Sequence, residues 1–109
     1  MKLAVSKKQL GEAPEIWLRQ AGYGLVPDRE EGHVSFARRL TRDFYPRFHI
    51  YFTVATDKAD EEIVIFNLHL DQKRPGYVGY NRHNAEYDGE VVAGEMARLK
   101  SFIRPNFLV

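Results

Sequence analysis

Cysteine is absent from the 109 residues. That absence removes disulfides, zinc–thiolate sites, iron–sulfur clusters and thiol nucleophiles together. Long apolar runs are missing as well. Nothing approaches the ~20 consecutive apolar residues of a membrane helix, and no stretch near the start reads as a signal peptide, so a soluble cytoplasmic protein without a membrane partner is expected. A dominant charge is also lacking. Lys and Arg number 16 against 15 Asp and Glu, for a net +1, which gives no global pull towards nucleic acid, membrane or an acidic partner. Nucleotide motifs are missing: there is no P-loop, and Gly22-x-Gly24 lacks the rest of a dinucleotide fingerprint. Ser6, Ser35 and Ser101 stand in no nucleophile-elbow setting. Repeats, low-complexity tracts and linkers are not seen.

What remains is material for a core. Hydrophobic residues make up 44% and aromatics 13% of the chain, and the length suits one domain spanning 1–109. Residues 1–12 read either as a short edge strand at Lys2–Val5 or as irregular chain. Pro14 suits the first turn of a helix, Ile16, Trp17, Leu18 and Ala21 supply its apolar face, and Gly22 and Gly24 stop it, which predicts a helix over 14–21. Residues 27–32 read as a polar turn.

Three segments then alternate with a period of two, the spacing of a half-buried strand. They are His33–Leu40, Arg47–Ala55 and Glu62–Asp71, and the acidic stretch 57–62 makes the last two a hairpin. Opposed residues of an antiparallel pair share a face, so the two aliphatic-aromatic rows must face each other across the hairpin. Setting Val54 against Val64 places Phe52 against Phe66, Ile50 against Leu68 and Phe48 against Leu70. On the reverse face His49 meets His69, Arg47 meets Asp71 and Tyr51 meets Asn67. Asp88 reads as an N-cap, with Val91, Val92, Met96, Leu99, Phe102 and Ile103 at helical spacing behind it and Pro105 beyond. The expected fold is therefore α+β, a three-stranded antiparallel meander with an N-terminal and a C-terminal helix on one face, in the order α-β-β-β-α. The double-stranded RNA-binding domain has that order too, but its last helix opens on lysines where this one opens on Asp88 and Glu90.

Three groups of residues can carry chemistry. The reverse face of the sheet gathers His33, Arg47, His49, Tyr51, Asn67, His69 and Asp71. Imidazoles beside a carboxylate can hold a divalent metal or move protons, although the solvated side of a sheet is polar in any case. His69-x-Asp71 with His83-x-x-Glu86 is a second set of candidate metal ligands or acid–base groups, against which Glu86 and Asp88 read as acids at a helix start. The third is the stretch 72–84, whose Lys73, Arg74 and Arg82 suit phosphates and whose Tyr77 and Tyr80 suit base stacking. With Arg38, Arg39, Arg42 and Arg47 it makes a basic rim.

The sequence thus yields ranked functions. The first is a small nucleic-acid-associated, RNA- or DNA-binding domain using Arg38, Arg39, Arg42, Arg47, Lys73, Arg74, Tyr77, Tyr80 and Arg82. The second is a metal-dependent hydrolase or nuclease using His49, His69, Asp71, His83 and Glu86, with a divalent metal as cofactor. The third is an interaction module or homodimer, because Ile63 and Ile65 fall on the polar face of the sheet.

Overall fold

A computed structural model describes residues 1–27, 34–72, 85–86 (backbone alone) and 89–103. Its centre is a five-stranded antiparallel sheet, with a two-residue sixth strand at one edge. The chain begins in that sheet. Strand β1 (Lys2–Ser6) is followed by helices α1 (Lys7–Leu10) and α2 (Pro14–Gln20). Strands β2 (Gly24–Pro27), β3 (Val34–Arg39), β4 (Arg47–Thr56) and β5 (Glu62–Asp71) then run back and forth, and β6 (Ala85–Glu86) and helix α3 (Glu90–Lys100) complete the order. In space the strands lie β1-β5-β4-β3-β2. The chain thus starts at one edge, passes through α1 and α2 to reach the other, and returns by a meander. One side of β5 is taken by β4 along its whole length, and β1 and β6 share the other side end to end.

The expected three-stranded meander between two terminal helices is therefore corrected to a five-stranded sheet with short helices. Of the two added strands, β1 takes up the edge-strand alternative for Lys2–Val5 and β2 was not expected; both are edges, and each is short. β2 carries Gly24 and Pro27, residues depleted in strands; proline is tolerated there because an edge strand needs hydrogen bonds on one side only. β1 is cut short by a capping box. The Gln9 N–H donates to Ser6 Oγ at 3.2 Å and the Ser6 N–H donates to Gln9 Oε1 at 3.2 Å, which starts α1 at once. Gly11, with φ 76°, ends it in the left-handed region that glycine adopts without penalty. The extra edge strands also remove the topological likeness to an RNA-binding domain.

The hairpin register agrees with the sequence at every pair: Val54↔Val64, Phe52↔Phe66, Ile50↔Leu68, Phe48↔Leu70, His49↔His69, Arg47↔Asp71 and Tyr51↔Asn67. The core lies on the face away from the histidines. Phe36, Ile50, Val64, Phe66 and Leu68 meet Trp17 and Leu18 of α2 and Val92, Met96 and Leu99 of α3 there, all buried. Trp17 tilts onto Phe66 at 5.1 Å between ring centroids, and Phe52 meets Phe66 at 5.9 Å, separations at which aromatic pairs attract beyond their area. The helices stop short of the sheet's ends, which leaves Val34 and Val54 exposed. Val91 and Phe102 of the expected helical stripe are exposed as well. The N-cap of α3 is Gly89 rather than Asp88, which lies outside the described residues.

One charged group is drawn into this layer. Glu95 is buried; it accepts from the Tyr23 hydroxyl at 2.6 Å and from Arg98 Nε at 2.7 Å, and Arg38 lies 3.5 Å away. Burial, followed by the hydrogen bond to Glu95, pushes the Tyr23 phenol far above its ordinary range, because a phenolate beside a carboxylate is doubly disfavoured. Arg98 also donates to the Ala21 carbonyl at 2.7 Å, which ties α3 to the end of α2.

Two stability outcomes follow. Phe66→Ala should cost about 3–5 kcal/mol in urea unfolding, and the half-buried Phe52→Ala about 1–3; equal losses at both sites would mean the helix layer covers β4 further than described. Glu95→Ala should cost about 2–3 kcal/mol, less than a fully buried pair, because both guanidiniums can rehydrate. A loss below about 0.5 kcal/mol would show that the cluster is solvated.

Candidate metal centre

On the outer face of the sheet the register determines who meets whom. His49 on β4 and His69 on β5 are directly opposed, the separation at which side chains of an antiparallel pair touch. Asp71 lies two residues beyond His69 on the same strand and therefore on the same face. The three side chains converge. His49 Nδ1 is 2.9 Å from His69 Nε2, His69 Nε2 is 2.9 Å from Asp71 Oδ1, and His49 Nδ1 is 3.5 Å from Asp71 Oδ2. The rings meet edge to face with centroids 4.6 Å apart.

These separations bracket the roughly 3.3 Å that divides neighbouring ligands on a zinc tetrahedron with bonds of about 2.0–2.1 Å. One potential donor atom from each residue lies within 4.8 Å of the others. His69 Nε2 is thus at hydrogen-bond distance from both His49 Nδ1 and Asp71 Oδ1, so a proton on it serves the carboxylate and faces the second ring. The side chains are 20%, 9% and 15% exposed for His49, His69 and Asp71. That is dry enough to strengthen electrostatics and open enough for an ion to enter.

Arg47 borders the cluster. Opposed to Asp71 in the register, it brings Nε to 3.5 Å from Asp71 Oδ2. Burial alone would raise the Asp71 carboxyl; the hydrogen bond with His69, then the charges of His69, His49 and Arg47, outweigh it and hold the group below its ordinary range.

The other sequence candidates part company. Glu86 is aligned with Leu70, while Ala85 takes the position across from Asp71, so β6 does not bring Glu86 to the carboxylate's row. His33, Lys73, Arg74, Tyr77, Tyr80, Arg82 and His83 lie outside the described residues. Arg38 is directly opposed to Phe48 and pairs with Glu95 on the helix side, so it does not join Arg39 and Arg47. Arg42 is exposed in the 40–46 loop, where its carbonyl accepts from Arg39 NH1 at 3.4 Å. Ile63 and Ile65 are half-buried beside Ser6 and Ala4 of β1. Sequence reasoning missed Ala37 and Gly24, which extend the histidine row across β3 and β2; small residues there give no pattern signal. No helix among the described residues is long and apolar enough to cross a membrane.

Compared with known proteins, the chain matches no family model, no curated protein and no solved structure.

The depressed Asp71 sets the sign of an acid-stability effect. The folded chain favours the ionised carboxylate, so its contribution is complete above the unfolded value near 3.9 and is lost as pH falls through the lower folded value. In a chelating buffer, wild type should be more stable than Asp71→Asn above about pH 5 and converge with it towards about pH 2. A gap that widens on acidification would contradict this.

Proposed function

We propose that His49, His69 and Asp71 bind one divalent transition metal and that the protein is a metal-dependent hydrolase. The observation that carries this reading is the convergence of two imidazole nitrogens and a carboxylate at tetrahedral-edge spacing on the outer face of the sheet. Two imidazoles and one carboxylate suit zinc, and also iron or manganese. Three protein ligands leave a coordination position for water, the arrangement of catalytic rather than structural zinc sites. A metal there lowers the pKa of its bound water towards neutrality and polarises an electrophile beside it. The nucleic-acid reading draws less support. Most of its residues lie between 73 and 82, outside the described residues, and Arg38 is committed to Glu95 on the other face.

A metal would compete with protons for the two imidazole nitrogens and the carboxylate, so its binding should weaken in acid. Calorimetric titration of the chelator-stripped protein with zinc should give one site, bound more weakly at pH 5.5 than at pH 7.5. His49→Ala and Asp71→Asn should each weaken it by about tenfold or more. Saturating zinc at about a hundred times its dissociation constant should stabilise wild type by about 2.7 kcal/mol. Hydrolysis of nitrophenyl esters should rise with zinc and fall in His69→Ala. Undiminished zinc binding in the two ligand variants would sink the proposal.

A further inference from the structure

Beside the metal ligands lies a cleft of about 300 Å³, lined among others by Gly24, Ala37, Arg39, Phe44 and Arg47. It starts one strand from the centre: Ala37 is directly opposed to His49, and Gly24 to Ala37. The floor is open because these two residues are small; a Cβ built on Gly24 would meet nothing within 4 Å. Arg39 and Arg47 are directly opposed. Like charges at such positions repel; Asp71 offsets Arg47 from one side, and an anion between the two guanidiniums would offset both.

Both guanidiniums are held against rings of the same loop, Arg39 at 4.0 Å over Phe44 and Arg47 at 4.7 Å over Tyr45. A guanidinium stacked on a ring is positioned while its N–H edge stays available to an oxyanion. Two guanidiniums match a phosphate dianion, where a carboxylate would need only one. The volume suits a small molecule, and the net charge of +1 offers a polyanion no extended field.

Resting on the hydrolase reading above, we propose that the substrate is a small phosphate monoester, its phosphate held by Arg39 and Arg47 next to the metal ligands. Hydrolysis adds the hydroxide of one water to phosphorus; the bond from phosphorus to the ester oxygen breaks, and the departing alkoxide takes the remaining proton. Arg47 joins the two parts, since it also borders Asp71 at 3.5 Å.

The test uses orthophosphate and phenyl phosphate, titrated into the intact protein at fixed ionic strength, with zinc titrated separately. Arg39→Ala should weaken phenyl phosphate by about tenfold or more, the loss of one charge-assisted contact. Gly24→Phe, which fills the cleft floor on an edge strand, should do the same, and zinc should bind both variants as it binds wild type. Equal phenyl phosphate binding in wild type and both variants would overturn the assignment. So would benzoate binding as tightly as phenyl phosphate, or a single-stranded oligonucleotide binding more tightly through Arg39. Zinc binding without phosphate binding sinks the substrate class and leaves the metal centre. Phosphate binding without zinc binding sinks the metal centre and leaves an oxyanion cleft.

Discussion

The pairing of β4 with β5 is the constraint on which everything else depends. Ten residues of each strand are aligned, and the alignment performs two tasks at once. On one face it sets Phe52 against Phe66 and Ile50 against Leu68, which makes the floor of the core. On the other it sets His49 against His69. A slip of one residue would turn every side chain of a strand to the wrong face, losing the core and the cluster together. The burial of Ile50, Val64, Phe66 and Leu68 therefore holds the histidines in place, although none of these residues touches solvent chemistry. At about 25 cal/mol per Å² of apolar surface removed from water, that row outweighs any preference the polar face could express for another register.

The same period of two breaks up the basic segment 38–47. Read along the chain, its arginines form one patch. In space Arg38 takes the core-side row with Phe48 and Leu70, while Arg39 takes the outer row with Arg47 and Asp71. Arg38 there joins Arg98 in facing the buried Glu95 of α3. One of the four arginines thus serves packing and Arg42 stays in the 40–46 loop, so the outer face keeps a local pair, Arg39 and Arg47, against a local acid. This division leaves the outer face a local pair of guanidiniums, not an extended basic strip.

The sequence made the central strands legible because both alternate over eight residues or more with large apolar side chains, and only one alignment buries both rows. Helix α2 was legible through Pro14 and the glycines behind it. The edges were less so, for physical reasons: Lys2–Val5 was ambiguous between strand and irregular chain, and β2 gave no signal. Four-residue β2, with Gly24 and Pro27, has little propensity of its own and exists because β3 offers it a ladder of backbone partners. β1 is five residues long and ends at once in the Ser6–Gln9 capping box, too short for alternation alone to define it. The meeting of His49, His69 and Asp71 on β4 and β5 followed from register. His83 and Glu86 had been joined to them through a stretch whose path no periodicity defines, and Glu86 aligns one residue away from the row of Asp71. Arg38 lies apart from Arg39 and Arg47 because strand parity, which charge counted along the chain does not show, turns it to the other face.

X-ray absorption at the zinc edge, on protein carrying one equivalent of zinc, tests the proposed centre most directly. The account predicts two imidazole rings and a carboxylate oxygen in the first shell at about 2.0–2.1 Å, with one imidazole lost in His49→Ala. A first shell made of oxygen alone, or one unchanged by that substitution, would contradict it.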